Sequence, residues 1–118
     1  MASASTIGVF HDFTFTDALA STGITFRGHI VDDAGKTYKA VHYDHGTGIS
    51  VADVDGDGRL DIYFVNQAGG NQLWKNLGGG KFKNITQDAG VAVPGRVSVG
   101  AAFADIDNDG DQDLFVTT

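Results

Sequence analysis

Residues 53–61 read D-V-D-G-D-G-R-L-D, and residues 105–113 read D-I-D-N-D-G-D-Q-D. Nine of the fifteen acidic side chains fall in these two nonapeptides. Like charges this dense repel, so something must offset the repulsion. In D-x-D-x-D-G-x-x-D the carboxylates at positions 1, 3, 5 and 9 converge if the backbone curls. The glycine at position 6 permits the sharp turn, and position 7 turns its carbonyl inward. Oxygen donors alone suit a hard cation of high coordination number, Ca2+ ahead of Mg2+. The expected side-chain ligands are Asp53, Asp55, Asp57 and Asp61, with the Arg59 carbonyl, and Asp105, Asp107, Asp109 and Asp113, with the Asp111 carbonyl. That makes two Ca2+ per chain. A solvated acidic turn would account for one such loop, but poorly for two in register. The loops are not EF-hands, which need a bidentate Glu at position 12 and flanking helices. Position 12 here is Phe64 or Val116, each inside an apolar run.

The two loops belong to a longer repeat. At a fixed offset of 52, Gly48–Asn66 (GISVADVDGDGRLDIYFVN) aligns with Gly100–Thr118 (GAAFADIDNDGDQDLFVTT). A second echo, at an offset of 67, sets Phe15, Asp17, Gly23 and Ile24 against Phe82, Asn84, Gly90 and Val91. The difference between the offsets places an insertion in residues 25–46. A period near 50 residues indicates a repeat architecture, and propeller blades have about this length. The local patterns agree. Short apolar runs at 48–53 and 61–66 flank the first acidic loop, and 71–76 and 81–86 flank a Gly78-Gly79-Gly80 hairpin turn. Residues 98–105 and 113–117 repeat the first pair, while 6–11 and 13–18 read as a third and a fourth strand.

The expected fold is therefore all-β. Residues 1–118 form a single unit of two four-stranded antiparallel propeller blades. Residues 47–97 make the complete blade. Residues 98–118, with about 6–24, make a blade split between the termini. Composition points the same way. Every acidic residue is Asp, with no Glu, and there are seventeen Gly and one Pro. Asp favours turns and caps, where its short side chain reaches nearby backbone. The net charge of −7 argues against nucleic acid, whose phosphates need clustered Lys and Arg. The absence of Cys excludes disulfides and thiol catalysis. No run is long and apolar enough for a membrane span, and no signal peptide is visible.

These stretches resemble the FG-GAP/VCBS repeats of calcium-binding β-propellers, as in integrin α-subunit heads. They are especially similar to the bacterial and cartilage-acidic-protein-type version. The matching pieces are Ala52–Tyr63, Asn71–Phe82 and Asn84–Val91; Asn84 stands where an Asp is usual. The literal Phe-Gly and Gly-Ala-Pro pieces are absent, with Gly100-Ala101-Ala102 in place of the latter. The resemblance implies an extracellular or periplasmic protein serving in adhesion, in sugar binding or as a scaffold.

Two blades are too few to close a ring, which needs roughly four to eight. The expected partner is the chain itself, three or four copies making a six- or eight-bladed ring by head-to-tail contacts. The expected function is non-catalytic, a self-assembling scaffold or protein-recognition module. The alternative is a calcium-stabilised lectin with glycans between blades. An enzyme such as a polysaccharide lyase finds little support, because no Ser/His/Asp or paired-carboxylate set stands apart from the acidic loops. His42-Tyr43-Asp44-His45 reads as a polar loop and Asp32-Asp33 as a turn. Trp74 reads as core rather than a sugar platform, and Asn84-Ile85-Thr86 is a common tripeptide that matches a glycosylation acceptor.

Overall fold

The computed structural model describes residues 12–31 and 47–118. Residues 6–11, His42-Tyr43-Asp44-His45 and Asp32-Asp33 lie outside the described residues. Within them the chain is all-β apart from two single-turn helices. Strands β1 (Ile49–Ala52), β2 (Asp61–Phe64), β3 (Gln72–Gly78) and β4 (Lys81–Asn84) form one antiparallel sheet in sequence order. Strands β5 (Gly100–Ala104) and β6 (Asp113–Thr117) form a second, two-stranded antiparallel sheet. The six strands read from 48 onward are therefore all present, and the triple-glycine turn joins β3 to β4.

Alternation along each strand decides what meets what. On β2, Tyr63 points to one side of the sheet, and Ile62 and Phe64 to the other. Tyr63, Val65 and Leu73 form the buried core, and Ala101, Phe103, Leu114 and Val116 of the second sheet pack against it. Phe103 meets the Tyr63 ring edge-on, with centroids 6.3 Å apart. The two sheets thus stack face to face. Their first strands come very close where β1 and β5 begin: a Cβ on Gly48 would lie 3.2 Å from the Gly100 Cα. The two glycines are matched residues of the repeat, so both strands enter the junction without a side chain.

A buried polar node ties the sheets together. The Asn71 side chain donates to the Tyr63 hydroxyl at 2.9 Å and to Ser98 Oγ at 3.2 Å, and its Oδ1 accepts from the Asn66 N–H at 2.7 Å. Tyr63 in turn donates to the Val91 carbonyl at 2.7 Å, and the Asn71 N–H to the Ala92 carbonyl at 2.7 Å. Burial pushes the Tyr63 phenol pKa up, and the Asn71 hydrogen bond works against that shift.

The N-terminal segment corrects one expectation. Residues 13–18 form no strand; they lead irregularly into α1 (Leu19–Thr22). The Asp17 side chain instead turns the backbone into the helix, accepting from the Leu19 N–H. The echo at offset 67 is nonetheless structural. Asp17 Oδ1 accepts from the Leu19 N–H at 3.0 Å, as Asn84 Oδ1 accepts from the Thr86 N–H at 3.0 Å. Each turn opens a short helix, α1 or α2 (Thr86–Ala89), that ends on a left-handed glycine, Gly23 or Gly90. The segment lies on the side of the first sheet away from β5 and β6. Its Phe26 ring stacks on Phe64 at 4.6 Å, and α1 sits against β4, where Lys81 Nζ bonds the Ser21 carbonyl. Beyond it, the His29 N–H donates to Asn66 Oδ1 at 2.6 Å and the Val31 N–H to Gln67 Oε1 at 3.1 Å.

Candidate metal centre

Each acidic loop is clamped at its mouth by the sheet. The pairs Ala52↔Asp61 and Ala104↔Asp113 are the last rungs of their ladders, so positions 1 and 9 of each loop are set side by side. Inside the loops, backbone amides orient the carboxylates. In the first, the Asp57 N–H donates to Asp53 Oδ1 at 3.0 Å and to Asp55 Oδ1 at 3.3 Å. The Gly58 N–H reaches Asp53 Oδ2 at 2.7 Å, the Arg59 N–H reaches Asp57 Oδ1 at 2.9 Å, and the Val54 N–H reaches Asp61 Oδ2 at 3.0 Å. The second loop repeats all five bonds. Asp109 N–H donates to Asp105 at 3.0 Å and Asp107 at 3.2 Å; Gly110, Asp111 and Ile106 donate to Asp105, Asp109 and Asp113, each at 2.9 Å.

The curl needs left-handed backbone at two positions. In the first loop these are Gly56 and Gly58, with φ of 73° and 83°; in the second they are Asn108 and Gly110, with φ of 61° and 95°. Asn is among the few side chains that accept this conformation, so D-G-D-G and D-N-D-G build the same turn.

The carboxylate oxygens of Asp53, Asp55 and Asp61 come within 4.8 Å of one another, as do those of Asp105, Asp107 and Asp109. Asp57 stands outside the first set. It is engaged instead by Lys75, whose Nζ bonds Asp55 and reaches Asp57 Oδ2 at 2.8 Å. Asp113 stands outside the second set, held by its bond from Ile106. Arg59 and Asp111, expected to give carbonyls, are fixed at the loop exits by their N–H bonds, and the Arg59 side chain runs along Gly78 of the neighbouring turn. Asp61 is fully buried, and its Oδ1 also accepts from the Asn76 N–H at 2.7 Å. The Asn76 side chain donates to the Leu60 carbonyl at 3.1 Å, bracing the loop from β3.

Two of these residues escaped the sequence reading. Asn76 belongs to the N-x-L-W-x-N stretch already singled out, and its fixed spacing after Asn71 was the available signal. Lys75 carried none, because only the β2–β3 register brings it beside a loop about twenty positions earlier. The donor set is chemically simple. Both clusters offer carboxylate oxygen, and the chain has no thiolate to add. Such a set fits a hard divalent cation, with the inward amides easing repulsion where the carboxylates are closest.

Paired strands, each pair bent around an acidic loop of one fixed hydrogen-bond pattern and stacked at a constant sequence interval, define a β-repeat protein. The family model described as FG-GAP-like repeat matches residues 53–116, more than half of the chain. The chain belongs to the FG-GAP-like repeat family. Among curated proteins it is similar to cartilage acidic protein 1. It is 33% identical to the Xenopus tropicalis protein over 108 residues, covering 88% of this chain and 14% of the relative. To the Mus musculus and Homo sapiens proteins it is 33% identical over 94 residues, covering 80% of this chain and 14% of each. The chain thus spans about one seventh of the length of these relatives. No solved structure matches it. Among the described residues no helix is long and apolar enough to cross a membrane.

Proposed function

We propose that this chain is a calcium-binding propeller module that acts without catalysis, as a scaffold or protein-recognition surface outside the cytoplasm, extracellular or periplasmic. One observation carries the reading: two loops 52 residues apart hold their carboxylates with the same five amide bonds. Asp53, Asp55, Asp57 and Asp61 would hold one ion, and Asp105, Asp107, Asp109 and Asp113 the other. The Arg59 and Asp111 carbonyls complete the sets. A bound ion supplies charge neutralisation and a cross-link between paired strands. The chain's own part is to aim the oxygens before binding. A ring then follows from three or four copies of this two-blade unit. The lectin alternative gains no platform from Trp74, which is buried and bonded to Gln72.

Calorimetric titration and thermal melting with and without EDTA test this. Two Ca2+ bind per chain, and calcium at a hundred times Kd adds about 2.7 kcal/mol of stability per site. Asp57→Ala and Asp109→Ala each remove part of that gain. Melting indifferent to EDTA sinks the calcium assignment.

A further inference from the structure

We propose that Asn76 is a positioning residue of the first acidic loop, and that it couples an ion held there to the β3–β4 turn. The proposal rests on the calcium reading and adds to it residues outside the loop. Strand β3 is seven residues long and β2 only four. Their ladder reaches Ile62↔Trp74 at the loop end, and residues 75–78 of β3 run on beside the loop.

The two halves of the loop are held by different means. Asp53, Asp55 and Asp57, at positions 1, 3 and 5, accept from amides of the loop itself. Positions 7, 8 and 9 are met from β3. The Asn76 N–H donates to Asp61 Oδ1 at 2.7 Å, and its Nδ2 donates to the Leu60 carbonyl at 3.1 Å. The Arg59 side chain lies along Gly78, its Nε 3.3 Å from where a Cβ would stand. Asp61 is fully buried, so water is no substitute for the Asn76 N–H. Asp61 and the Arg59 carbonyl are two of the ligands assigned to this site, and Leu60 lies between them. The direction in which this half of the loop offers its oxygens is therefore set from β3.

The same side chain shapes the turn. Asn76 pairs with Phe82 and Gly78 with Lys81, which leaves Leu77 as the extra residue of a bulge, 49% exposed. Asn76 Oδ1 accepts from the Gly78 N–H at 2.9 Å and closes that bulge. Gly78, Gly79 and Gly80 follow with φ of 83°, 62° and 75°. Three glycines in a row have wide backbone freedom, and a tether on the first removes part of it. One planar amide thus holds the loop exit with its nitrogen and the turn with its oxygen. An ion that fixes the loop fixes this amide and, through it, the turn. The coupling is reciprocal: a turn that is held favours the bound loop.

Asn76→Ala tests the assignment in calcium titrations followed by NMR. The Gly58 and Gly110 N–H groups each bond the first Asp of their own loop, so they report the two sites separately. The first-loop Kd rises about tenfold or more, as loss of a residue that orients metal ligands does, and the second-loop Kd is unchanged. A variant that merely folds less well weakens both loops. In the parent, calcium slows hydrogen exchange of the Gly78 N–H about fivefold or more. In the variant that calcium effect disappears. Equal weakening of both loops, an unchanged first-loop Kd, or parent Gly78 exchange indifferent to calcium overturns the proposal and leaves the calcium reading standing. A parent whose Gly58 amide ignores calcium overturns both. If Asn76→Ala loses its β-sheet circular dichroism, the Gly78 exchange of the parent decides alone.

Discussion

Tyr63→Phe removes one oxygen from the junction between the sheets. The hydroxyl donates to the Val91 carbonyl and accepts from Asn71. Its loss leaves a carbonyl without its donor and takes one of two acceptors from the Asn71 amide. An unmet buried polar group costs roughly 1–3 kcal/mol, and a partly compensated one falls at the low end. The variant is therefore less stable by about 2 kcal/mol. Urea unfolding in EDTA measures this free of metal effects, as a midpoint lowered by about 1 M. The pH dependence provides a stricter check. Burial raises the phenol pKa in the folded chain, so the unfolded chain loses this proton first, near pH ~10. The Tyr63 contribution is whole below that pH and declines as pH rises toward the folded value, by up to about 1.4 kcal/mol per pH unit. The parent and the variant differ only in this hydroxyl, so the parent-minus-variant difference isolates the phenol. That difference should shrink between pH 9.5 and 11, values chosen to bracket the ordinary tyrosine pKa of ~10. A variant within about 0.5 kcal/mol of the parent, or a difference constant over that range, refutes the buried node.

Lys75→Met takes a tethered cation away from Asp55 and Asp57. Calcium affinity of the first loop rises about two- to fivefold in calorimetry, the range of an exposed ion pair, and the second loop is unchanged; equal effects on both loops would exclude local competition. Gly48→Ala forces a Cβ to 3.2 Å from the Gly100 Cα and 3.3 Å from the Val99 carbonyl, both backbone atoms. It lowers stability by about 1–3 kcal/mol in denaturant titration, as overpacking does, and no change would mean the strands part freely.

The strands were legible because each apolar run was short and bounded by Asp or Gly, so length and punctuation agreed. The acidic loops were legible because their chemistry lies in a local string of residues. What stayed hidden depends on tertiary placement. Phe15 echoes Phe82, yet Phe82 lies in a strand because β3 pairs with β4, whereas residues 13–18 run irregularly into α1. The echo marked the Asp17 turn and the Gly23 stop correctly and the strand before them wrongly. Lys75, similarly, is an ordinary mid-strand lysine until register puts it beside Asp55 and Asp57. Trp74 read as core, and it is 4% exposed.

Asn71 stands at the start of β3 yet spends part of its side chain on Ser98, beside the second sheet, while its backbone N–H goes to Ala92 in the connecting linker. Neither sheet is a closed thermodynamic unit. Loosening the second would strand the polar interior of the first, so the pair should melt as one domain. Amide exchange of Tyr63 and of Phe103 should then report a single opening free energy.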